Sequence, residues 1–246
     1  DWSSDVCSSD LLNHMLPYHL VDREDWQRRL FLLCLQTRPD HLRILARADA
    51  RGRICHDQQR LLDQIELFWQ LAQENPLPFV DDHSRLTYFR RGGDPARTAY
   101  PEHRCQVTMM SGLPASGKDY WIGQHAGDLP VISLDQIREQ LQVSPTQAQH
   151  AVVEDARERA RGYLRKGQDF VWNATNLSSQ MRERALSLFY DYQARVRIVY
   201  CETDSQELNR RNQARPSPVP GAALERMLSR WEIPGREEAH EVTLPW

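Results

Sequence analysis

A chain of 246 residues has room for one large or two small domains, each able to bury a core, and the pattern along it favours two. A net charge of −3 and a pI near 6.3 exclude a protein that holds nucleic acid by bulk electrostatics, so a polynucleotide would have to meet a local basic patch. The five cysteines (Cys7, Cys34, Cys55, Cys105, Cys201) form no C-x-x-C pair, which points to a reduced, cytoplasmic protein without structural zinc. The longest apolar run, Leu30 to Leu35, is too short to cross a bilayer, so no membrane association is expected.

Residues 1–11 carry neither a helical nor a strand period and resemble a translated sequencing adapter, so they are set aside from the fold. The expectation is a coding sequence cut at its 5′ end, with a longer N-terminal domain missing. From Val21 to Asn75 the pattern is helical. Asp22 is the expected cap of a first helix with a Trp26, Leu30, Leu33, Cys34 stripe. Asp40 is the expected cap of a second, with Leu42, Leu45 and Asp49 on its inward face and Arg43, Arg47 and Arg51 on another until Gly52 stops it. A third, capped by Asp57, turns Leu61, Ile65, Phe68 and Ala72 inward. Asp49 then needs a partner, because a bare buried carboxylate is too costly.

His14-Met15-Leu16-Pro17 together with Leu45 to Arg53 resembles the final helices of an HD-type metal phosphohydrolase domain. The resemblance implies that Asp49 is the late aspartate of that family's metal site. The family's His-Asp doublet is absent, and His14 can stand at best for an additional histidine. The residues allow equally a helical remnant in which Asp49 pairs with a neighbouring arginine, and no phosphoester hydrolysis is expected of this segment.

Residues 76–104, with Pro76, Pro78, Pro95, Pro101 and Gly92-Gly93, read as a linker that breaks any long element. Arg85, Arg90, Arg91, Arg97 and Arg104, interleaved with Tyr88, Phe89 and Tyr100, have the composition either of a solvated linker or of a contact to single-stranded nucleic acid.

The chemistry concentrates further on. The apolar stretch Gln106 to Met110 feeds the frame G-x-x-x-x-G-K from Gly112 to Lys118, and a helical pattern follows. Gly112 and Gly117 let the backbone wrap anionic oxygens with N–H groups, the helix start adds its dipole, and Lys118 adds a full charge. Asp119 stands where such a loop has Ser or Thr for Mg²⁺, so either a carboxylate takes the metal or the metal is held differently.

Strands and helices then alternate, with strands at Val131–Leu134, Phe170–Trp172 and Arg195–Tyr200, an α/β pattern with a parallel sheet. Ser144-Pro145-Thr146-Gln147 reads as the capping box of a long helix ending near Gly167. Asp135 follows a strand, at the sheet edge where open α/β folds bind ligands, and Arg138 lies one turn on. The pair can be a base and an acceptor-phosphate clamp, or Asp135 can be a helix cap. Asn173-Ala174-Thr175-Asn176 ends the next strand without an acidic residue. Glu207, Arg211 and Arg215 recur every four residues before Pro216, Pro218 and Pro220, either as a solvated face or as a lid that closes on a phosphoryl group.

Taken together, the loop from Gly112 to Lys118, Asp135 to Arg138, Thr175-Asn176, and Arg211 to Arg215 with Val219-Pro220 resemble the P-loop polynucleotide 5′-hydroxyl kinases, including those fused to HD phosphohydrolases in bacterial RNA repair. The resemblance implies a P-loop kinase fold with a parallel sheet and helical lid over 105–246, preceded by a small all-α, truncated HD-type domain over 12–75. It implies ATP and Mg²⁺, and transfer of the γ-phosphoryl group to the 5′-hydroxyl end of RNA or DNA. Lys118, Asp135 and Arg211 become catalytic. Gly112, Ser116, Gly117, Lys118, Asp119 and Arg215 hold the nucleotide, Arg138 and Asn176 the acceptor, and Asp119 the metal. An RNA ligase of the same pathway is an implied partner. The alternatives are a small-molecule or toxin-type P-loop kinase and a non-catalytic ATP-binding module of a repair complex.

Overall fold

The computed structural model describes residues 8–143 and 149–244 and divides into two compact units, one up to Ala99 and one from Tyr100. The first unit is all-helical. Its elements are α1 (Ser8–Asn13), a 3-10 turn (Leu16–Tyr18), α2 (Trp26–Gln36), α3 (Pro39–Gly52), α4 (Gln58–Glu74) and α5 (Asp82–Arg91).

The stripes of α2 and α4 lie inward as their periodicity requires, with Leu30, Leu33, Leu61, Ile65 and Phe68 buried. The expected caps differ. The described helix starts at Trp26 rather than after Asp22, Pro39 rather than Asp40 opens α3, and Asp57 makes no side-chain cap bond. Asp40 and Asp57 bond Arg38 and Arg60 at 2.7 and 3.1 Å instead, since an arginine within reach is a stronger partner than a backbone amide. The buried face of α3 runs through Leu42, Ala46 and Ala50, which leaves Asp49 at the edge of the core.

The stretch expected as a broken linker contains the ten-residue helix α5. Asp81 caps it by accepting from Ser84 N at 2.7 Å, and Gly92 ends it at φ +72°, a positive φ that glycine adopts without a steric cost. Tyr88 and Phe89 pack with Phe31 and Phe79, and Arg85 is buried beside them in the helix. Those three residues therefore serve the fold, so neither a solvated linker nor a single-strand contact describes them.

The second unit runs β1 (Cys105–Ser111), α6 (Lys118–His125), β2 (Val131–Ser133), α7 (Leu134–Gln140), α8 (Gln149–Arg165), β3 (Phe170–Asn173), α9 (Ser179–Asp191), β4 (Ala194–Tyr200), α10 (Ser205–Gln213), α11 (Gly221–Leu228) and β5 (Glu241–Thr243). The capping box expected at Ser144 to Gln147 lies outside the described residues. The sheet has the order β2-β3-β1-β4-β5 with every pairing parallel, and Met109 sits between Trp172 and Ile198. Val107 and Met109 enter the larger core, while Met110 enters the one beside Trp121 and Val199, so β1 is buried on both faces. Burying each such side chain contributes roughly 1.5–3 kcal/mol. Because β1 lies between β3 and β4, its carboxyl end is where the strand order turns and a crevice forms.

One buried charge fastens this crevice. Arg182 of α9 is fully buried, and its guanidinium forks onto Glu238 at 2.6 and 2.8 Å. It also donates to the carbonyls of Asn176, Leu177 and Glu232 at 3.2, 3.2 and 2.8 Å. The turn after β3 is thereby tied to the segment that leads into β5.

Candidate phosphate-binding site

The loop from Gly112 to Gly117 leaves the carboxyl end of β1 and enters α6. Gly112 has φ +146°, and a β-carbon there would run into the Cys201 carbonyl and stand 2.6 Å from Ser116 Oγ. Gly117 has φ +105°, so any other residue at either position would be strained. Gly112 N donates to Thr175 O at 2.9 Å, which ties the loop to the end of β3. Asn176, at φ +46° and buried, donates to Met110 O at 2.7 Å and accepts from Ser111 Oγ at 3.0 Å through its own carbonyl. Its amide nitrogen is thus committed inside the protein. These two bonds fasten the segment after β3 to the end of β1.

Lys118 is buried, and its Nζ donates to Gly112 O and Leu113 O at 2.9 and 2.7 Å. Burial lowers its pKa to about 8, against the opposing pull of Asp119, Cys201 and Asp135. Ser116 Oγ is buried without a hydrogen-bond partner among the described residues, an orphaned polar atom inside an anion-binding loop. Asp119 is exposed, and its Oδ1 accepts from Asn173 Nδ2 at 2.7 Å. Exposed carboxylate oxygen is the hard donor that a magnesium ion takes, so this donor set fits the metal.

Ser133 caps α7 by accepting from Gln136 N at 3.4 Å, so Asp135 is not the cap. Its carboxylate stands in the first turn, 69% exposed, with Arg138 at 2.5 Å and Arg215 at 3.8 Å. Asp204 caps α10, accepting from Gln206 N and Glu207 N at 3.0 and 2.9 Å. Glu207 holds Arg210 and Arg211 at 2.6 and 2.5 Å, and these guanidiniums lower its pKa to about 2. Arg211 reaches the loop, with a guanidinium nitrogen 3.4 Å from where a β-carbon on Gly117 would stand. Gly112, Ser116, Gly117, Lys118, Asp119, Asp135, Arg138, Arg211 and Arg215 are thus gathered at one edge of the sheet.

Three contributors to this region carry no motif in the sequence. Arg182 shares a helical stripe with Ala185, Leu186 and Phe189, and an arginine on an apolar stripe is the signal that could have found it. Cys201 and Trp231 line a cavity of about 240 Å³ beside the loop, together with Leu113, Ser116, Asp204 and Leu208. Cys201 follows β4 directly, so its place at the carboxyl edge was readable, whereas nothing local marks Trp231.

A glycine-bounded loop between the central strand of a parallel sheet and a helix, with a buried lysine inside it, defines a P-loop kinase fold. Residues 107–234, over half of the chain, match the AAA domain family, and the chain belongs to that family. Its loop is accordingly a nucleotide-phosphate site. Among solved structures, a protein from Chloroflexus aurantiacus J-10-fl named as a candidate kinase aligns at 19% identity over 58% of this chain and 86% of that one, with a TM-score of 0.48. Among the described residues no helix is long and apolar enough to cross a membrane.

Proposed function

We propose that this protein is an ATP-dependent kinase acting on the 5′-hydroxyl end of RNA or DNA, and that residues 12–75 are the remnant of an HD-type phosphohydrolase domain. The observation that carries the kinase reading is Asp135, an exposed carboxylate with no capping duty, flanked by Arg138 and Arg215 beside the phosphate loop. The loop amides and Lys118 hold the β- and γ-phosphates, and the cavity bounded by Leu113 and Trp231 takes the nucleoside. Asp135 accepts the proton of the 5′-hydroxyl as that oxygen attacks the γ-phosphorus. The bond from γ-phosphorus to the bridging oxygen breaks, and ADP leaves. Arg211 and Arg215 stabilise the charge on the transferring group, and Arg138 holds a phosphate of the acceptor strand. Asp119 would hold Mg²⁺, whose chemistry here is to neutralise the phosphate oxygens.

Transfer from labelled ATP to a panel of 5′-hydroxyl oligonucleotides, nucleosides and small alcohols tests the reading. Oligonucleotide ends are expected to be the best acceptors. Asp135→Ala should lose roughly a hundred-fold or more in kcat. Arg138→Ala should raise the KM for the oligonucleotide while leaving that for ATP unchanged. Preference for a small alcohol makes the protein a small-molecule kinase, and ATP binding with no transfer to any acceptor makes it a non-catalytic module. An RNA ligase acting on the 5′-phosphate product is the proposed partner.

A further inference from the structure

We infer that Asp119 and Asn173 have exchanged the places that P-loop enzymes give to a loop hydroxyl and a strand carboxylate, so that the anionic oxygen for a divalent cation comes from the start of α6. The inference rests on the loop's being a nucleotide-phosphate site and deepens that reading.

In P-loop enzymes a Ser or Thr directly after the lysine and a carboxylate at a strand end hold Mg²⁺ together. Here the residue after Lys118 is Asp119, and β3, the neighbour of β1, ends in Asn173. Taken singly, each is a defect in the pattern. They meet, however, with Asn173 Nδ2 donating to Asp119 Oδ1 at 2.7 Å. A carboxylate can only accept, so the amide must turn its nitrogen toward it, and the two departures satisfy one another. The pair carries one negative charge, as a hydroxyl and a carboxylate would. Two carboxylates at this separation would repel until one held a proton. An acid at 119 therefore requires a neutral residue at 173. The charge also sits at the open end of the pair, since Asp119 is exposed while Asn173 is buried. A purely structural role for Asp119, favouring the helix dipole, would explain the acid but not the amide opposite it.

Four chains test the exchange: wild type, D119S, Asp119→Asn and the double variant D119S/N173D. Calorimetry measures ADP affinity in EDTA and in Mg²⁺, and electron paramagnetic resonance measures Mn²⁺ held with ADP. Wild type is expected to bind ADP more tightly with Mg²⁺. D119S and Asp119→Asn should each lose that enhancement by about tenfold or more. In EDTA each should bind ADP at least as tightly as wild type, because removing a carboxylate beside the phosphates removes a repulsion. D119S/N173D should recover the enhancement to within about threefold, because it restores one carboxylate and one hydroxyl. An unchanged enhancement in both single variants overturns the exchange. A double variant that melts like wild type yet binds metal no better than D119S overturns it too. ADP binding by wild type that ignores Mg²⁺ also overturns it and leaves the phosphate site standing. No ADP binding in either buffer overturns both.

Discussion

At the scale of the residue, Lys118 shows how burial and charge compete in a phosphate loop. Its amine is held by two carbonyls, yet burial dominates and lowers the pKa from 10.5 to about 8. Below about pH 8 the amine is charged in the folded and unfolded chain alike, and the full burial penalty applies; the penalty lifts as pH rises toward the unfolded value. Phosphate oxygens would favour the ammonium form and raise its pKa. Nucleotide binding at roughly pH 9 is therefore predicted to take up as much as one proton, and binding near neutral pH almost none. Calorimetry in buffers of different ionisation enthalpy measures this, and Lys118→Met should abolish the uptake. Proton release, or no uptake in wild type, would place the lysine away from the phosphates.

At the scale of the element, two fastenings hold the crevice open to its ligands. Asn212 in α10 donates to Val219 O and accepts from Val219 N at 2.9 and 3.0 Å, closing the proline-containing segment between α10 and α11 into a loop. Asn212→Ala leaves that backbone pair without its partner, at a cost of about 1–3 kcal/mol. The expected outcome is faster hydrogen exchange at Val219, with the sheet amides unchanged. The second fastening is Arg182. Arg182→Ala takes the buried cation from Glu238 and one donor from each of three carbonyls, and should destabilise the protein by about 3–5 kcal/mol, read from the denaturant midpoint. Arg182→Lys should recover only part of this, since an ammonium cannot fork onto a carboxylate. Equal midpoints for all three chains would show the fork to be dispensable.

At the scale of the whole molecule, the helical unit and the sheet unit carry different chemistry. In the helical unit Asp49 accepts from Tyr18 Oη at 3.0 Å and pairs with Arg53 at 2.5 Å. Burial pushes the Asp49 pKa up, but the Arg53 guanidinium and the Tyr18 hydroxyl together outweigh it and hold it below the usual carboxylate range. On the Tyr18 side, burial first and then Asp49 raise the phenol to about 12. A carboxylate so engaged would have to break an ion pair to bind a metal. The chain is therefore predicted to show no phosphatase or 2′,3′-cyclic phosphodiesterase activity with added Mn²⁺, Ni²⁺ or Co²⁺. Metal-stimulated turnover that disappears in Asp49→Ala would prove this wrong.

Much of the fold and the loop is legible in the amino-acid sequence. Gly112, Gly117 and Lys118 are local requirements, because only glycine accepts those backbone angles and only a cation following the loop can meet phosphate there. The alternation of apolar strands and helices determined a parallel sheet, and with it the edge at which Asp135 lies. What sequence could not decide was which of several equally local options each side chain takes. Asp135 is free of capping because Ser133 caps α7, and Tyr88 and Phe89 are core because Phe31 and Phe79 meet them across the helical unit. The fork of Arg182 on Glu238 joins residues far apart in the chain, as does the bond from Asn173 to Asp119. Such pairings depend on distances that only the packed chain sets, because a hydrogen bond or ion pair is selected by geometry within a few ångströms and no spacing in sequence encodes it.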